Sequence, residues 1–122
     1  MAVHAAVTWT EYPASAARVL EVQPGFDAGA GERLAQRIIE LAAGGQQDVV
    51  VDLSRLESVG PDAVAPLMAV ARRLEAAGVR ISVVFDSLLQ VFAMPGIEAF
   101  SDVAVTAPDA VARLARRRSA AT

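Results

Sequence analysis

Apolar positions along the chain change period several times, and each change predicts an element. Residues 3–12 alternate loosely between apolar and polar and read as a first strand; residues 13–16 read as a turn. Residues 17–22 form a second strand, stopped by Pro24-Gly25. From near Gly29 the spacing becomes helical, with Leu34, Ile38, Leu41 and Ala42 on one stripe and Gly44-Gly45 as the stop. Residues 48–53 are apolar apart from the two aspartates, the signature of a strand covered on both faces. Val64, Leu67, Met68, Ala71 and Leu74 then make a second helical stripe that closes at Gly78. Residues 79–85 are another β-branched strand. Asp86 or Ser87 can cap a short helix carrying Leu88, Leu89 and Phe92, stopped by Pro95-Gly96. Residues 101–105 are a short last strand. Thr106 caps a final helix with Pro108 in its first turn, buried through Val111 and Leu114. Arg116, Arg117 and Arg118 close it, where positive charge suits the carboxyl end of a helix.

The order β-β-α-β-α-β-α-β-α predicts an α/β fold with a single mixed, mostly parallel β-sheet covered by helices. At 122 residues, with no linker-like composition shift, the chain reads as one domain spanning 1–122, with its core at about 7–116. The chain is 54% hydrophobic but only 5% aromatic, so Val, Leu and Ile must build the core and Ala must let elements approach closely.

Composition narrows the chemistry. There is no Cys, so no disulfide, thiolate nucleophile or thiolate metal site exists. The one His, His4, sits near the amino end, which argues against a catalytic triad or a histidine metal site. All 11 basic residues are Arg; without Lys there is neither a P-loop nor Schiff-base chemistry. The net charge of −3 does not favour nucleic acid. No apolar run approaches the ~20 residues of a membrane span, and the amino end lacks a signal-peptide pattern. A cytoplasmic protein without cofactor or metal is the expectation.

One position stands out on chemical grounds. Asp62 lies where the loop after a buried strand turns into a helix, so its carboxylate can cap that helix by accepting from the N–H near Ala65. Asp27 follows Pro-Gly and fits a turn or a helix cap rather than half of a metal-binding pair with Asp52. Asp52, late in a buried strand, needs hydrogen-bond partners from loop backbone. The triple arginine fits a solvated helix end better than a nucleic-acid patch. Leu88, Leu89, Val91 and Phe92 crowd a short helix on too many faces to be wholly buried, so Leu88, Leu89 and Phe92 are a candidate contact surface as well as candidate core.

Four segments together resemble the STAS domain, the fold of bacterial anti-sigma factor antagonists. They are Pro24-Gly25-Phe26-Asp27, Val49-Val50-Val51-Asp52-Leu53-Ser54, Ala76-Ala77-Gly78-Val79 and Met94-Pro95-Gly96-Ile97. The resemblance implies a small non-enzymatic switch that binds an anti-sigma factor acting as a serine kinase, or a sister STAS protein. In that family the kinase phosphorylates a serine in an Asp-Ser-Ser-Gly motif at the start of the second helix, and binding is lost. Laid onto that motif, Gly60 falls at the Asp, Pro61 at the first Ser, Asp62 at the phosphorylated Ser and Ala63 at the Gly. The acceptor hydroxyl is absent, and Ser58 is the nearest substitute in the loop. The implied contact surface is therefore Ser58, Gly60, Pro61, Asp62 and Ala63, with a fixed charge in place of a reversible one.

Two rival functions share this pattern. A phospho-receiver is suggested by the aspartates at Asp48 and Asp52, but that chemistry needs a lysine, which the chain lacks. A small-ligand or nucleotide sensor is suggested by Gly25 and Gly29 near a helix start, where an anion could enter, though no glycine-rich phosphate fingerprint is present. Homo-oligomer formation is left open by the sequence.

Overall fold

The computed structural model describes residues 8–86 and 94–121. Five strands form one sheet in the order β1-β2-β3-β4-β5: β1 (Trp9–Ala14), β2 (Ala17–Val22), β3 (Asp48–Asp52), β4 (Arg80–Val84) and β5 (Asp102–Ala104). The first pair is antiparallel and every other pair is parallel. Three helices are described: α1 (Ala28–Ala43), α2 (Pro61–Glu75) and α3 (Ala107–Ala121), with a 3-10 turn at Ile97–Ala99. This is the α/β architecture the sequence predicts. The short helix expected around Leu88, Leu89 and Phe92 lies outside the described residues, as does His4.

The central strand explains the layering. Every residue of β3 is buried, so both faces must be covered. Val49 and Val51 face α1 and α2, together with Leu20, Val22, Ile81 and Val83. Val50 faces the other way, toward α3, with Ala17, Val19, Val84 and Ala104. Alternate residues on each strand therefore serve opposite layers.

The two layers are held differently. Beneath α1 and α2 lies a large aliphatic core. Beneath α3 the apolar contact is thin and rests on Ala107, Ala110 and Leu114. Charge supplements it there. Asp48, 1% exposed, meets Arg80 at 3.2 Å and Arg118 at 2.7 Å. Asp102 meets Arg113 at 2.9 Å and accepts from the Ser82 hydroxyl at 3.2 Å. Arg117 donates to the Ser101 carbonyl at 2.7 Å. The triple arginine is thus not a solvated helix end throughout. Arg116 and Arg117 are exposed, though Arg117 still reaches Asp102 and the Ser101 carbonyl, and half-buried Arg118 folds back onto the sheet because the buried carboxylate of Asp48 requires a counter-charge.

One other expectation changes. β1 runs through Pro13 to Ala14, and the turn is only Ser15-Ala16, closed by Ser15 at φ 56°. A proline is tolerated because β1 is an edge strand, paired on one side only. Helix α2 starts at Pro61, which places Pro66 beyond its first turn. That ring has no N–H to donate to the carbonyl of Asp62, four residues earlier.

The α1–α2 contact is unusually close. A Cβ at Gly31 would run into the backbone carbonyl of Ala63. Gly31→Ala in mid-helix would ordinarily gain up to about 1 kcal/mol from propensity. Here we expect a net loss of about 1–3 kcal/mol in urea unfolding, because the helices must separate to admit a methyl group. A gain in stability would contradict the contact.

On the opposite flank of α1, Arg37 donates to both oxygens of Glu11 at 2.7 and 2.9 Å. This bond holds the Glu11 carboxyl below its ordinary 4.5, against burial, which raises it; the Trp9 indole N–H, donating at 3.1 Å, also lowers it. A depressed carboxyl stabilises the fold above its unfolded value, and that contribution fades as pH falls through the folded value. Glu11→Gln should therefore lower stability at neutral pH and flatten the decline below about pH 4.5, measured by thermal melts across pH.

Candidate functional site

The loop between β3 and α2 is pinned along its first half, from Asp52 to Leu56. Leu53, 1% exposed, donates its N–H to the Val84 carbonyl at 2.9 Å, which carries the chain one step past the strand. Leu56 drops into the main core, its N–H bonded to the Leu53 carbonyl at 3.1 Å. Between them Asp52 Oδ1 accepts from the Ser54 N–H at 2.9 Å and from its hydroxyl at 2.6 Å. The expectation that Asp52 is bonded to loop backbone holds. A surface contact from Arg55 to Glu21 at 3.2 Å ties the same loop to β2.

Beyond Leu56 the chain rises to the surface. Ser58, Gly60, Pro61 and Asp62 are all exposed, whereas Val59 packs partly on the core. Asp62 does not cap α2. The N-cap is Gly60, at φ −72° and ψ 144°, with no side-chain bond. Pro61 takes the first helical position, where its fixed φ suits the turn and its missing N–H is not needed. Asp62 therefore sits inside the first turn with its carboxylate in solvent, near the positive end of the helix. Ala63 goes the other way: 4% exposed and set against Gly31, it forms the seat beneath the loop rather than part of its outer surface.

The other candidate carboxylate is likewise spoken for. Asp27 caps α1, with Oδ1 accepting from the Ala30 N–H at 2.9 Å. Its negative charge occupies the helix end near Gly25 and Gly29 that an anion would need. Among the described residues no group of His, Asp and Glu is placed to hold a metal ion. Leu88, Leu89 and Phe92 are outside the described residues.

The structure adds a neighbour that the sequence reading did not join to this loop. A groove of about 300 Å³ runs between Pro24, Gly25 and Phe26 on one bank and Arg55, Glu57 and Ser58 on the other. Both banks follow adjacent parallel strands, so they lie side by side at the carboxyl end of the sheet. That adjacency follows from pairing β2 with β3. Tyr12, 39% exposed on the edge strand, has its hydroxyl pKa raised by partial burial and then by the charges of Glu21 and Asp52.

A family profile described as "Mlab, STAS domain" matches residues 11–105. The chain belongs to the STAS domain family. Solved structures agree on the fold. The protein TM1081, determined by NMR, is 12% identical, with 95% of each chain covered and a TM-score of 0.74. A serine-to-glutamate variant of RsbS from Moorella thermoacetica is 15% identical; 88% of this chain and 97% of that one are covered, with a TM-score of 0.69. No curated protein sequence matches the chain. Among the described residues of this STAS domain, no helix is long and apolar enough to cross a membrane.

The pinning can be tested directly. Asp52→Ala should cost about 1–3 kcal/mol, because both Ser54 donors lose their acceptor, and amide exchange at Ser54 should accelerate. Asp62→Ala, which breaks no hydrogen bond, should change stability by less than about 1 kcal/mol. Equal losses in the two variants would mean that Asp62 does hold the helix.

Proposed function

We propose that this STAS domain is a non-catalytic protein-interaction module of the anti-sigma factor antagonist type, working in the cytoplasm of a bacterium. The partner is an anti-sigma factor with serine-kinase character or a sister STAS protein. Contact is made through residues 54–62 and the first turn of α2, with Asp62 standing where related domains carry a phosphorylatable serine. The observation that carries the reading is the contrast within one short segment: Leu53, Leu56 and Ala63 are buried and fixed, while Ser58, Gly60, Pro61 and Asp62 are presented outward. A pinned loop with an exposed, uncommitted carboxylate suits recognition, since little ordering entropy is lost on binding.

Asp62 reproduces part of a phosphoserine. A phosphate brings about −1.5 to −2 charges and three acceptor oxygens, whereas a carboxylate brings a single charge and two oxygens. The field at the head of α2 is therefore permanently negative but weaker, and the bulk is smaller. The signalling state of the module is set by its abundance or its partner rather than by its own modification at this position.

The test pairs binding with mass. Co-purification from the native cell, repeated with Asp62→Ser and Asp62→Arg, should return an ATP-binding kinase or a second STAS protein whose affinity differs at least severalfold between the variants. Incubation with that kinase and ATP should leave the natural chain at its original mass and add one phosphoryl group to Asp62→Ser. Unchanged affinity in both variants would remove the loop from the interface.

A further inference from the structure

The end of the sheet opposite the Asp62 loop carries a second feature, independent of the proposed interaction surface. We propose that the cavity at this rim binds a small anion bearing a phosphoryl or carboxylate group, with Arg18 as its principal ligand. The cavity has a volume of about 350 Å³ and is walled by Arg18, Glu40, Leu41, Gly45, Gln46 and Arg118. Small-molecule sites start at about 300 Å³, so the space fits a phosphorylated or carboxylated metabolite better than a bare ion.

The argument starts with Arg18. Its Nε is buried and has no hydrogen-bond partner among the described residues. A buried guanidinium donor left unpaired costs more than an ordinary lost hydrogen bond. Several neighbouring acceptors are already engaged. The carbonyls of Glu40, Leu41 and Ala42 accept from Gly44, Gly45 and Gln46 at the end of α1. Gln47 Oε1 accepts from Arg118 at 3.0 Å. The carboxyl end of α1 favours a cation at this place, which accounts for the charge of Arg18 but not for its idle donor.

Charge points the same way. Asp48 is one carboxylate shared by two guanidinium groups, Arg80 and Arg118, so one positive charge there is unmatched. Arg18 feels Glu11, which is already bound to Arg37, so Arg18, Arg37, Arg80 and Arg118 together face only Glu11, Glu40 and Asp48 and the surplus remains. The single carboxylate among the lining residues is Glu40, and it is exposed and already faces Arg37 at 3.4 Å. Nε itself is closed to solvent, so an incoming oxyanion would accept from the terminal nitrogens of Arg18, in the planar, charge-assisted geometry that arginine offers, and would feel the surplus charge at Arg118.

Titration of isotopically labelled protein with inorganic phosphate and, separately, citrate, against chloride at matched ionic strength, tests this. The expected result is saturable shifts of the Arg18 Nε–H and of the Gly45 and Gln46 amides. Arg18→Gln should weaken binding at least tenfold, and Glu40→Gln should strengthen it by removing the competing carboxylate. Phosphate and citrate distinguish which oxyanion class is preferred, and either one saturating supports the site. Asp62→Ser should bind like the natural chain, so the outcome is separate from that of the interaction surface. Shifts that never saturate would overturn the proposal. So would equal binding by Arg18→Gln, or an Arg18 Nε–H signal that responds to Glu40→Gln but not to any anion. Should Arg18→Gln fail to fold, Glu40→Gln with unchanged affinity would overturn it equally.

Discussion

The meeting of α1 and α2 at Gly31 and Ala63 sets the position of everything at the carboxyl end of the sheet. Only a residue without a side chain allows the Ala63 carbonyl so near the α1 backbone. With that approach fixed, the first turn of α2 has one available place, and the loop arriving from β3 must reach it from Leu53. Burial of Leu56 absorbs the middle of the span. What remains, from Glu57 to Asp62, carries the four outward-facing candidates. A surface built this way is a consequence of helix packing, and its placement depends on a glycine buried between the two helices.

Much of the fold was legible because the relevant signals are local. The limits of β2 coincide with the stretch 17–22 that the pattern predicts ahead of Pro24-Gly25, and Asp27 caps α1 as the Pro-Gly-Phe-Asp sequence suggests. The errors share one physical origin: a choice between two acceptable local solutions was made by distant packing. Asp62 and Gly60 can both precede a helix; proline at the first helical position, together with the seat at Gly31, selects Gly60. Pro13 reads as a turn residue, yet an edge strand accommodates it. Arg118 reads as solvated until Asp48 is brought beneath it, across a separation in sequence that no local pattern records. The groove beside the loop was hidden for the same reason, since its two banks meet only when β2 pairs with β3.

The two faces of the sheet follow different physical strategies. One has enough aliphatic surface to hold two helices by burial. The other holds one helix over a bed of valine and alanine and relies on arginines reaching two buried aspartates. Such pairs add little net stability after desolvation, but they are intolerant of losing one partner. They give α3 a fixed angle and register rather than a strong attachment. Arginine suits that task, because its planar fork constrains direction as well as distance. The absence of lysine throughout the chain is compatible with every ion pair the fold uses.

The charge at the head of α2 is best understood through what does not hold it. A capping aspartate would spend its oxygens on backbone N–H groups and present little to a partner. Because Gly60 takes the cap, the Asp62 carboxylate makes no cap bond to backbone and remains presented to solvent. The carboxylate alone thus keeps its acceptor capacity at the helix head. A donor-rich partner surface, such as one carrying arginine or exposed helix N–H groups, is the chemistry that complements it.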